Sequence, residues 1–130
     1  MEELFKKLKE MNLPKGKFAI FASGPMVIRK LRESKKLEII VTRDIFDEFR
    51  KKDDWSVKNE LCEGLQKDNI EMYYEWGPGE WDIDKLVQEA ETINDLPFVK
   101  LEEVLRWKKL YNREKDQKDI ELIENYLNQK

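Results

Sequence analysis

Two short runs of apolar residues lie close together in the first third of the chain and limit its fold more than any other feature. They are KFAIFA at 17–22 and LEIIV at 37–41, and each predicts a buried strand. The turn Ala-Ser-Gly-Pro ends the first run, and Pro25 suits the first turn of a helix that reaches about Glu33. This order of strand, turn, helix and strand predicts a domain that combines helices with a sheet.

Hydrophobic periodicity and turn residues predict the other elements of the chain. Further helices are predicted at 3–12, 43–52, 83–92, 101–111 and 114–128, and further strands at 55–58 and 70–74 with a hairpin over 59–69. Residues 93–100 are predicted to be an extended connector. We therefore expect one domain over 1–130, of the α/β or α+β class, in which helices flank a mixed sheet and a helical pair ends the chain.

The residue composition excludes several kinds of catalytic site. The chain contains no histidine, so histidine general bases and Ser-His-Asp triads are excluded. Cys62 is the only cysteine, which excludes an internal disulfide and favours a structural thiol over a nucleophile. Any chemistry must then use carboxylates, lysines, arginines, hydroxyls and bound metal ions.

The charge balance and the terminus set expectations about partners. The 25 Lys and Arg residues nearly balance the 28 Asp and Glu residues, which argues against a dedicated surface for duplex nucleic acid. The N-terminus lacks the apolar core of a signal peptide, and no stretch is long enough to span a bilayer. We expect a cytoplasmic protein that has no membrane partner.

The turn at 22–25 has two interpretations. The free backbone N–H groups and the dipole at a helix start favour an anion such as phosphate. Ser23 adds a hydroxyl, and Gly24 allows a sharp turn and the close approach of a ligand. The alternative is a tight corner in which Ser23 only caps the helix. Short glycine motifs match often by chance, so the turn alone favours the corner.

The turn, the short helix with Arg29 and Arg32, and the strand at 37–41 together resemble the nucleotidyltransferase superfamily related to DNA polymerase β. The similarity is to small prokaryotic members found in toxin–antitoxin and abortive-infection systems. The stretch at 97–123 also resembles the C-terminal helical pair of these proteins. The resemblance spans about 17–127 and implies a nucleotidyltransferase-like fold, a nucleoside triphosphate ligand and Mg²⁺.

The resemblance also implies a metal site that this chain does not fully preserve. Members of the superfamily begin a strand with Asp-x-Asp and add a third acid on a later strand, so that two Mg²⁺ ions are held. Here the matching positions are Lys36, Glu38 and Glu71, and a protonated lysine has no lone pair for a metal. A degenerate site is implied, in which Glu38 and Glu71 are the catalytic candidates and the ligands of one residual Mg²⁺. The alternatives are strand acids paired with lysines, or another register that uses Glu33 or Asp44.

The resemblance assigns further residues to nucleotide binding. Arg113, Lys115 and Asp116 match the pattern of the helical pair most closely. In the turn, the Gly-Ser of the superfamily becomes Ala22-Ser23, which crowds the approach to the backbone, and Ser23 and Gly24 are the candidates there. The alternative for the helical pair is a solvated face with ion pairs at three- and four-residue spacing.

Aromatic residues gather around the Gly-Pro-Gly loop at 77–79. They are Tyr73, Tyr74, Trp76 and Trp81. Such rings either stack on bases or cover a core edge or partner surface, and the second interpretation is favoured. Periodicity predicts that Trp55 and Trp107 belong to the core.

Three functions remain open from the sequence. The first is a nucleotidyltransferase-fold protein with weak or no catalysis that binds a nucleotide or regulates, as in a toxin–antitoxin-like pair. The second is an active metal-dependent nucleotidyltransferase that acts on RNA, protein or a small molecule. The third is a protein-interaction module that uses the same cleft for a partner protein. The first two require Ser23, Glu38 and Glu71 to line one cleft.

Overall fold

The computed structural model of the protein describes residues 1–60 and 62–129, so residues 61 and 130 of the expected domain lie outside it. Over these residues the chain forms six helices and seven strands. The helices are α1 (Glu2–Glu10), α2 (Gly24–Val27), α3 (Arg43–Arg50), α4 (Ile83–Gln88), α5 (Leu101–Tyr111) and α6 (Asp116–Asn128). The strands are β1 (Phe18–Phe21), β2 (Leu37–Val41), β3 (Ser56–Asn59), β4 (Glu63–Lys67), β5 (Ile70–Tyr73), β6 (Glu91–Ile93) and β7 (Leu96–Phe98).

The described strands form one open, mixed sheet in the order β3-β4-β5-β2-β1-β7-β6. The central strand β2 runs antiparallel to β1 and parallel to β5, and β1 runs parallel to β7. Helices cover both faces of the centre, which explains why β1 and β2 are continuous apolar runs rather than alternating ones. The expected mixed α and β arrangement, with a helical pair at the C-terminus, is confirmed.

Side chains of β2 alternate between two core layers because successive residues of a strand point to opposite faces. Leu37, Ile39 and Val41 pack in one cluster with apolar residues of α1 and α3. Ile40 belongs to the other cluster, which contains apolar residues of β1, α4, α5 and α6. Glu38 has the same orientation as Ile40, so β2 presents a carboxylate toward the layer of the C-terminal helices.

The helix after the turn is shorter than the predicted segment from Pro25 to Glu33. It ends at Val27, and Lys30 adopts a left-handed conformation with φ 60°. The backbone N–H of Lys30 donates to Val27, and that of Leu31 reaches back to Met26, which is the Schellman ending of a helix. Glycine normally fills this left-handed position, so a lysine there gives no sequence signal.

The predicted extended connector at 93–100 is wrong, because most of it forms a hairpin. Strands β6 and β7 pair antiparallel, and the two residues between them, Asn94 and Asp95, both have positive φ, at 50° and 67°. This is the two-residue turn that Asn and Asp favour in hairpins. Strand β7 then joins the main sheet beside β1, and the predicted helix at 83–92 ends at Gln88 because residues 91 and 92 belong to β6.

Other predicted elements agree with the structure. The bounds of β2 and α5 match the predictions, and the predicted hairpin at 59–69 contains β4, although residue 61 within it lies outside the described residues. Trp55 and Trp107 are buried as predicted. Within the described part of the chain, no helix has the length and apolar content that crossing a membrane requires.

Gly24 offers a direct test of the packing between β1 and α2. A Cβ at this position would lie 2.2 Å from Cγ2 of Ile20. We expect Gly24→Ala to lower the free energy of unfolding by about 1–3 kcal/mol, because the core must shift to admit one methyl group. Urea denaturation followed by tryptophan fluorescence measures this change.

The matched control for this substitution is Gly77→Ala. A Cβ on Gly77 meets nothing within 4 Å, so we expect a change of about 0.5 kcal/mol or less. Equal stability of the Gly24→Ala variant and the parent would contradict the packing described for α2.

Candidate functional site

A cleft of about 700 Å³ lies between the sheet and the corner that joins α5 to α6. Its walls come from the turn after β1, from β2 and β5, and from the two C-terminal helices. Ser23, Glu38 and Glu71 all line it. The convergence that the sequence required is therefore confirmed, whereas the chemical roles of these residues stay predictions.

Glu38 and Glu71 are directly paired across two parallel strands. The register of β2 and β5 places their Cα atoms opposite each other. Because paired residues on neighbouring strands share a face, both carboxyl groups enter the cleft from the sheet. The predicted position of Glu71 beside Glu38 is confirmed.

Glu71 is surrounded by hydrogen-bond donors and ammonium groups. Its side chain is only 3% exposed, and Lys58 Nζ lies 3.1 Å from Oε1. The hydroxyl of Tyr73 also donates to Oε1, while Lys36 Nζ lies 3.5 Å from Oε2. Burial raises the pKa of Glu71, but the hydrogen bonds from Tyr73 and Lys58 outweigh burial and hold the pKa below its ordinary value. Glu71 is therefore the ionised member of the pair.

Glu38 has the opposite electrostatic environment. Burial, and then the charge of Glu71, raise the pKa of Glu38 from 4.5 to about 7, and Lys36 and Lys58 only partly oppose this. Two adjacent carboxyl groups cannot both ionise easily away from water, so the pair holds a proton near neutral pH. That proton resides mainly on Glu38.

The surroundings of this pair do not fit the two-metal site that the resemblance implies. Within residues 1–60 and 62–129, no group of three or more acidic or cysteine side chains is placed to hold a metal ion. Lys36 and Lys58 instead approach the two oxygens of Glu71, where they supply the positive charge that a metal would bring. Binding of a single Mg²⁺ by Glu38 and Glu71 stays a prediction.

The turn after β1 differs from a simple capped corner. The side chain of Ser23 makes no cap hydrogen bond to α2, although it lines the cleft. Ala22 also lines the cleft and has φ 58°, a left-handed conformation that is uncommon for residues other than glycine. Gly24 is buried and does not line the cleft, and its missing Cβ makes room for Ile20. The single helical turn of α2 gives only a small dipole, so Ser23 is the part of the turn best placed to meet a ligand.

An ion-pair network fixes the corner between α5 and α6. Asp116 is 1% exposed and accepts hydrogen bonds from Arg113 at 2.8 and 3.0 Å. Lys108 lies 3.4 Å from Asp116 and 2.9 Å from Asp119, and Arg32 lies 2.6 Å from Asp119. Asp116 therefore positions Arg113 and Lys108 in this structure, and its direct contact with a nucleotide stays a prediction.

Two lysines beside this network lack acidic partners. Lys115 and Lys118 are exposed, line the cleft and form no ion pair with the described residues. Arg113 extends the positive surface, and its guanidinium lies 3.7 Å from the centre of the Tyr111 ring. This end of the cleft can attract an anion, because its positive charges exceed the acids that face them.

Aromatic rings form the wall between the acidic strands and the basic corner. Tyr73, Trp76, Trp107 and Tyr111 line the cleft. Trp107 Nε1 donates to the carbonyl of Gly77 at 2.9 Å, whereas Trp76 Nε1 is buried without a hydrogen-bond partner.

The predicted aromatic group around the Gly-Pro-Gly loop divides between different places. Tyr74 points to the opposite face of the sheet and packs on Phe46. Trp81 does not line the cleft, and its Nε1 donates to the carbonyl of Pro78. Only Tyr73 and Trp76 of the four enter the candidate site.

Sequence reasoning missed some residues of the cleft. Lys58 contacts Glu71 from β3, which requires the registers of β3, β4 and β5 to be known together. For Lys118, the sequence shows only that it lies in a charged segment, which does not predict that it lines the cleft. Cys62 also lines the cleft, but burial raises the pKa of its thiol, which agrees with a structural thiol rather than a nucleophile.

Comparisons of the chain with protein-family models, with curated proteins and with solved structures each give no match.

The raised pKa of Glu38 predicts a pH-dependent gain of stability on Glu38→Gln. Because the folded state disfavours the ionised form of Glu38, this residue destabilises the fold at high pH. The destabilisation is absent below pH 4.5, where Glu38 is protonated in both states, and it grows as the pH rises to about 7. We expect the variant to match the parent at pH 4 and to be more stable by roughly 2–3 kcal/mol at pH 8. Urea denaturation of both proteins across this range measures the difference.

Glu121→Gln is the matched control, because Glu121 is exposed on α6 and does not line the cleft. We expect it to change stability by about 0.5 kcal/mol or less at both pH values. A constant difference between Glu38→Gln and the parent from pH 4 to pH 8 would show that Glu38 is not a protonated, partly buried partner of Glu71.

Proposed function

We propose that this cleft binds a nucleotide and that the protein is a nucleotidyltransferase-like fold with a degenerate metal site and weak or no catalysis. The observation that supports this proposal most directly is the arrangement of charges around Glu38 and Glu71. Two lysines, Lys36 and Lys58, supply positive charge where a two-metal enzyme would hold its ions. The role that follows is nucleotide binding or regulation, as in a toxin–antitoxin-like pair.

The fold supports this proposal through the placement of its elements. Strand β1, the turn at Ser23 and strand β2 follow in the order that the resemblance implies, and β5 brings the third acid beside β2. The helical pair of α5 and α6 closes the other side of the cleft. The turn, β2 and the helical pair, which carried the resemblance, each contribute residues to one site, whereas Arg29 pairs with Glu91 and does not line it.

Charge and shape favour a ligand with an anionic part and an aromatic part. Lys115 and Lys118 lack acidic partners among the described residues, and Arg113 lies beside them. Aromatic rings adjoin this basic end, and stacking on a base stabilises a complex by about 1–3 kcal/mol per base. A volume of about 700 Å³ also falls within the range of small-molecule and cofactor sites.

The same arrangement explains why catalysis is expected to be weak. Nucleotidyl transfer requires positive charge at the oxygens where negative charge develops, together with a group that accepts the proton of the attacking hydroxyl. Glu71 is occupied by Lys58 and Tyr73, and Glu38 holds a proton near neutral pH. Neither acid is free to act as a strong base while these contacts persist.

A second candidate function is an active metal-dependent nucleotidyltransferase. The observation that favours it is the buried Oε2 of Glu71, which has no hydrogen-bond partner and lies on the strand paired with that of Glu38. A single Mg²⁺ held by these two carboxylates would supply Lewis-acid charge at a bound phosphate. A partner protein bound in the cleft is the remaining alternative.

Calorimetry with ATP, GTP, CTP and UTP, each with and without Mg²⁺ or Mn²⁺, tests the proposal. We expect at least one nucleotide to bind, with an affinity that changes about threefold or less when the metal is removed. Substitution of both Lys115 and Lys118 by alanine is expected to weaken binding about tenfold or more, because the phosphates lose two cations. Lys109→Ala is the control, since Lys109 pairs with Glu124 and does not line the cleft.

The outcomes of this experiment separate the three functions. Strong metal-dependent binding that Glu38→Ala and Glu71→Ala abolish would favour the transferase. Absence of binding by all four nucleotides would refute the proposed function and leave the protein-interaction module. A variant with Lys36→Asp and Glu38→Asp is the positive control, and we expect it to acquire Mn²⁺-dependent nucleotide binding because it restores an acidic pair at the start of β2.

A further inference from the structure

Two buried polar atoms, on residues that line the cleft, have no hydrogen-bond partner within the described chain. They are the acceptor Oε2 of Glu71 and the donor Nε1 of Trp76, and both residues line the cleft. Oε2 has an ion pair with Lys36 at 3.5 Å but no hydrogen bond, and Nε1 of Trp76 has no hydrogen bond. A buried polar atom without a hydrogen bond costs about 1–3 kcal/mol, so native proteins rarely leave one without a reason. A ligand in the cleft that offers a donor to Glu71 and an acceptor to Trp76 would satisfy both.

The surrounding structure holds these two atoms in place. Glu71 is fixed by Lys58 and Tyr73 on its other oxygen. Trp76 stacks on Phe21 with ring centres 4.6 Å apart and an angle of 14° between the planes. The ring of Tyr73 meets the ring of Trp76 edge-on at 5.4 Å and links the two groups. Rigid placement of this kind reduces the entropy lost when a ligand binds.

The chemistry of the two atoms selects among nucleobases. A carboxylate accepts hydrogen bonds from N–H groups, and an indole N–H donates to a carbonyl or a ring nitrogen. Glu38 lies beside Glu71 and offers a second carboxyl oxygen at the same edge. Guanine presents two adjacent N–H donors next to a carbonyl, whereas adenine and cytosine present one amino group beside a ring nitrogen and uracil presents one N–H.

We propose that Glu71 and Trp76 form a base-recognition subsite that prefers guanine, with Glu38 as a second acceptor. The N1–H of guanine donates to Glu71 Oε2, the N2 amino group donates to Glu38, and O6 accepts from Trp76 Nε1. Lys36 Nζ, 3.5 Å from Oε2, belongs to an exposed side chain that can move toward solvent when the base enters. This inference rests on the proposed function and assigns the phosphates to the basic end at Lys115.

The test compares the affinities of GMP, IMP, AMP, CMP and UMP for the full chain by calorimetry. We expect GMP to bind about tenfold tighter than AMP, CMP or UMP, and IMP to lie between, because IMP lacks the N2 amino group. Trp76→Phe removes the N–H but keeps a ring against Phe21, and Glu71→Gln replaces the carboxylate. Each is expected to reduce the preference for GMP over AMP about tenfold.

Trp81→Phe is the matched control, because Trp81 Nε1 already donates to Pro78 and the ring does not line the cleft. We expect it to keep the preference for GMP. Circular dichroism and urea denaturation test whether each variant is folded. If Glu71→Gln is unfolded, the Trp76→Phe variant by itself tests the guanine subsite.

Other outcomes overturn this inference in distinguishable ways. Equal affinity for all five monophosphates would refute the guanine subsite while nucleotide binding remained. An unchanged GMP preference in Trp76→Phe would refute the role of the indole N–H. Absence of binding by every nucleotide would refute the proposed function and this inference together.

Discussion

The pairing of Glu38 with Glu71 across β2 and β5 is the interaction on which the cleft depends. Parallel pairing fixes the two residues side by side, with Glu71 buried and Glu38 partly buried. The chain accommodates them by placing Lys58 and the Tyr73 hydroxyl on Glu71 and by leaving a proton on Glu38. Loss of Lys58 would leave the buried charge of Glu71 with only the Tyr73 hydroxyl and the more distant Lys36, and weakening a buried ion pair in this way is costly for a folded protein.

Residues farther from the pair also serve this arrangement. A Cβ on Gly64 in β4 would lie 2.4 Å from the ring of Tyr73, so glycine there allows the ring to lie across the neighbouring strand. The hydroxyl of Tyr73 can then turn back to Glu71. Lys58 lies on β3, two strands from β5 in the sheet, and its ammonium group contacts the carboxylate of Glu71.

The two sides of the cleft differ in charge, so the cleft has two distinct ends. On the sheet side, cations approach the acids closely, whereas at the helical corner the lysines at 115 and 118 lack acidic partners among the described residues. The aromatic rings lie between these sides. A ligand with a phosphate at one end and a hydrogen-bonding base at the other matches this order, and it is the order on which the proposed function relies.

The sequence was sufficient to predict the features that depend on local pattern. The bounds of β2 follow from a dense β-branched run, and the proximity of Glu38 and Glu71 follows from the order of strands that the resemblance implies. The contact of Lys58 could not be predicted, because it depends on three strand registers at once. The early end of α2 depends on a left-handed lysine at position 30, for which no residue pattern exists. The Asn94–Asp95 turn was a usable signal for the β6–β7 hairpin, since both residue types favour positive φ.

The most direct test of the account is a ¹³C NMR titration of the glutamate side-chain carboxyl groups, assigned with single Glu→Gln variants. The account predicts that Glu38 titrates near pH 7 and that Glu71 titrates below 4.5, since the two strands hold one proton and one charge between them. Titration of both groups together near 4.5 would contradict it, because the two carboxyl groups would then be neither buried as a pair nor compensated by Lys58.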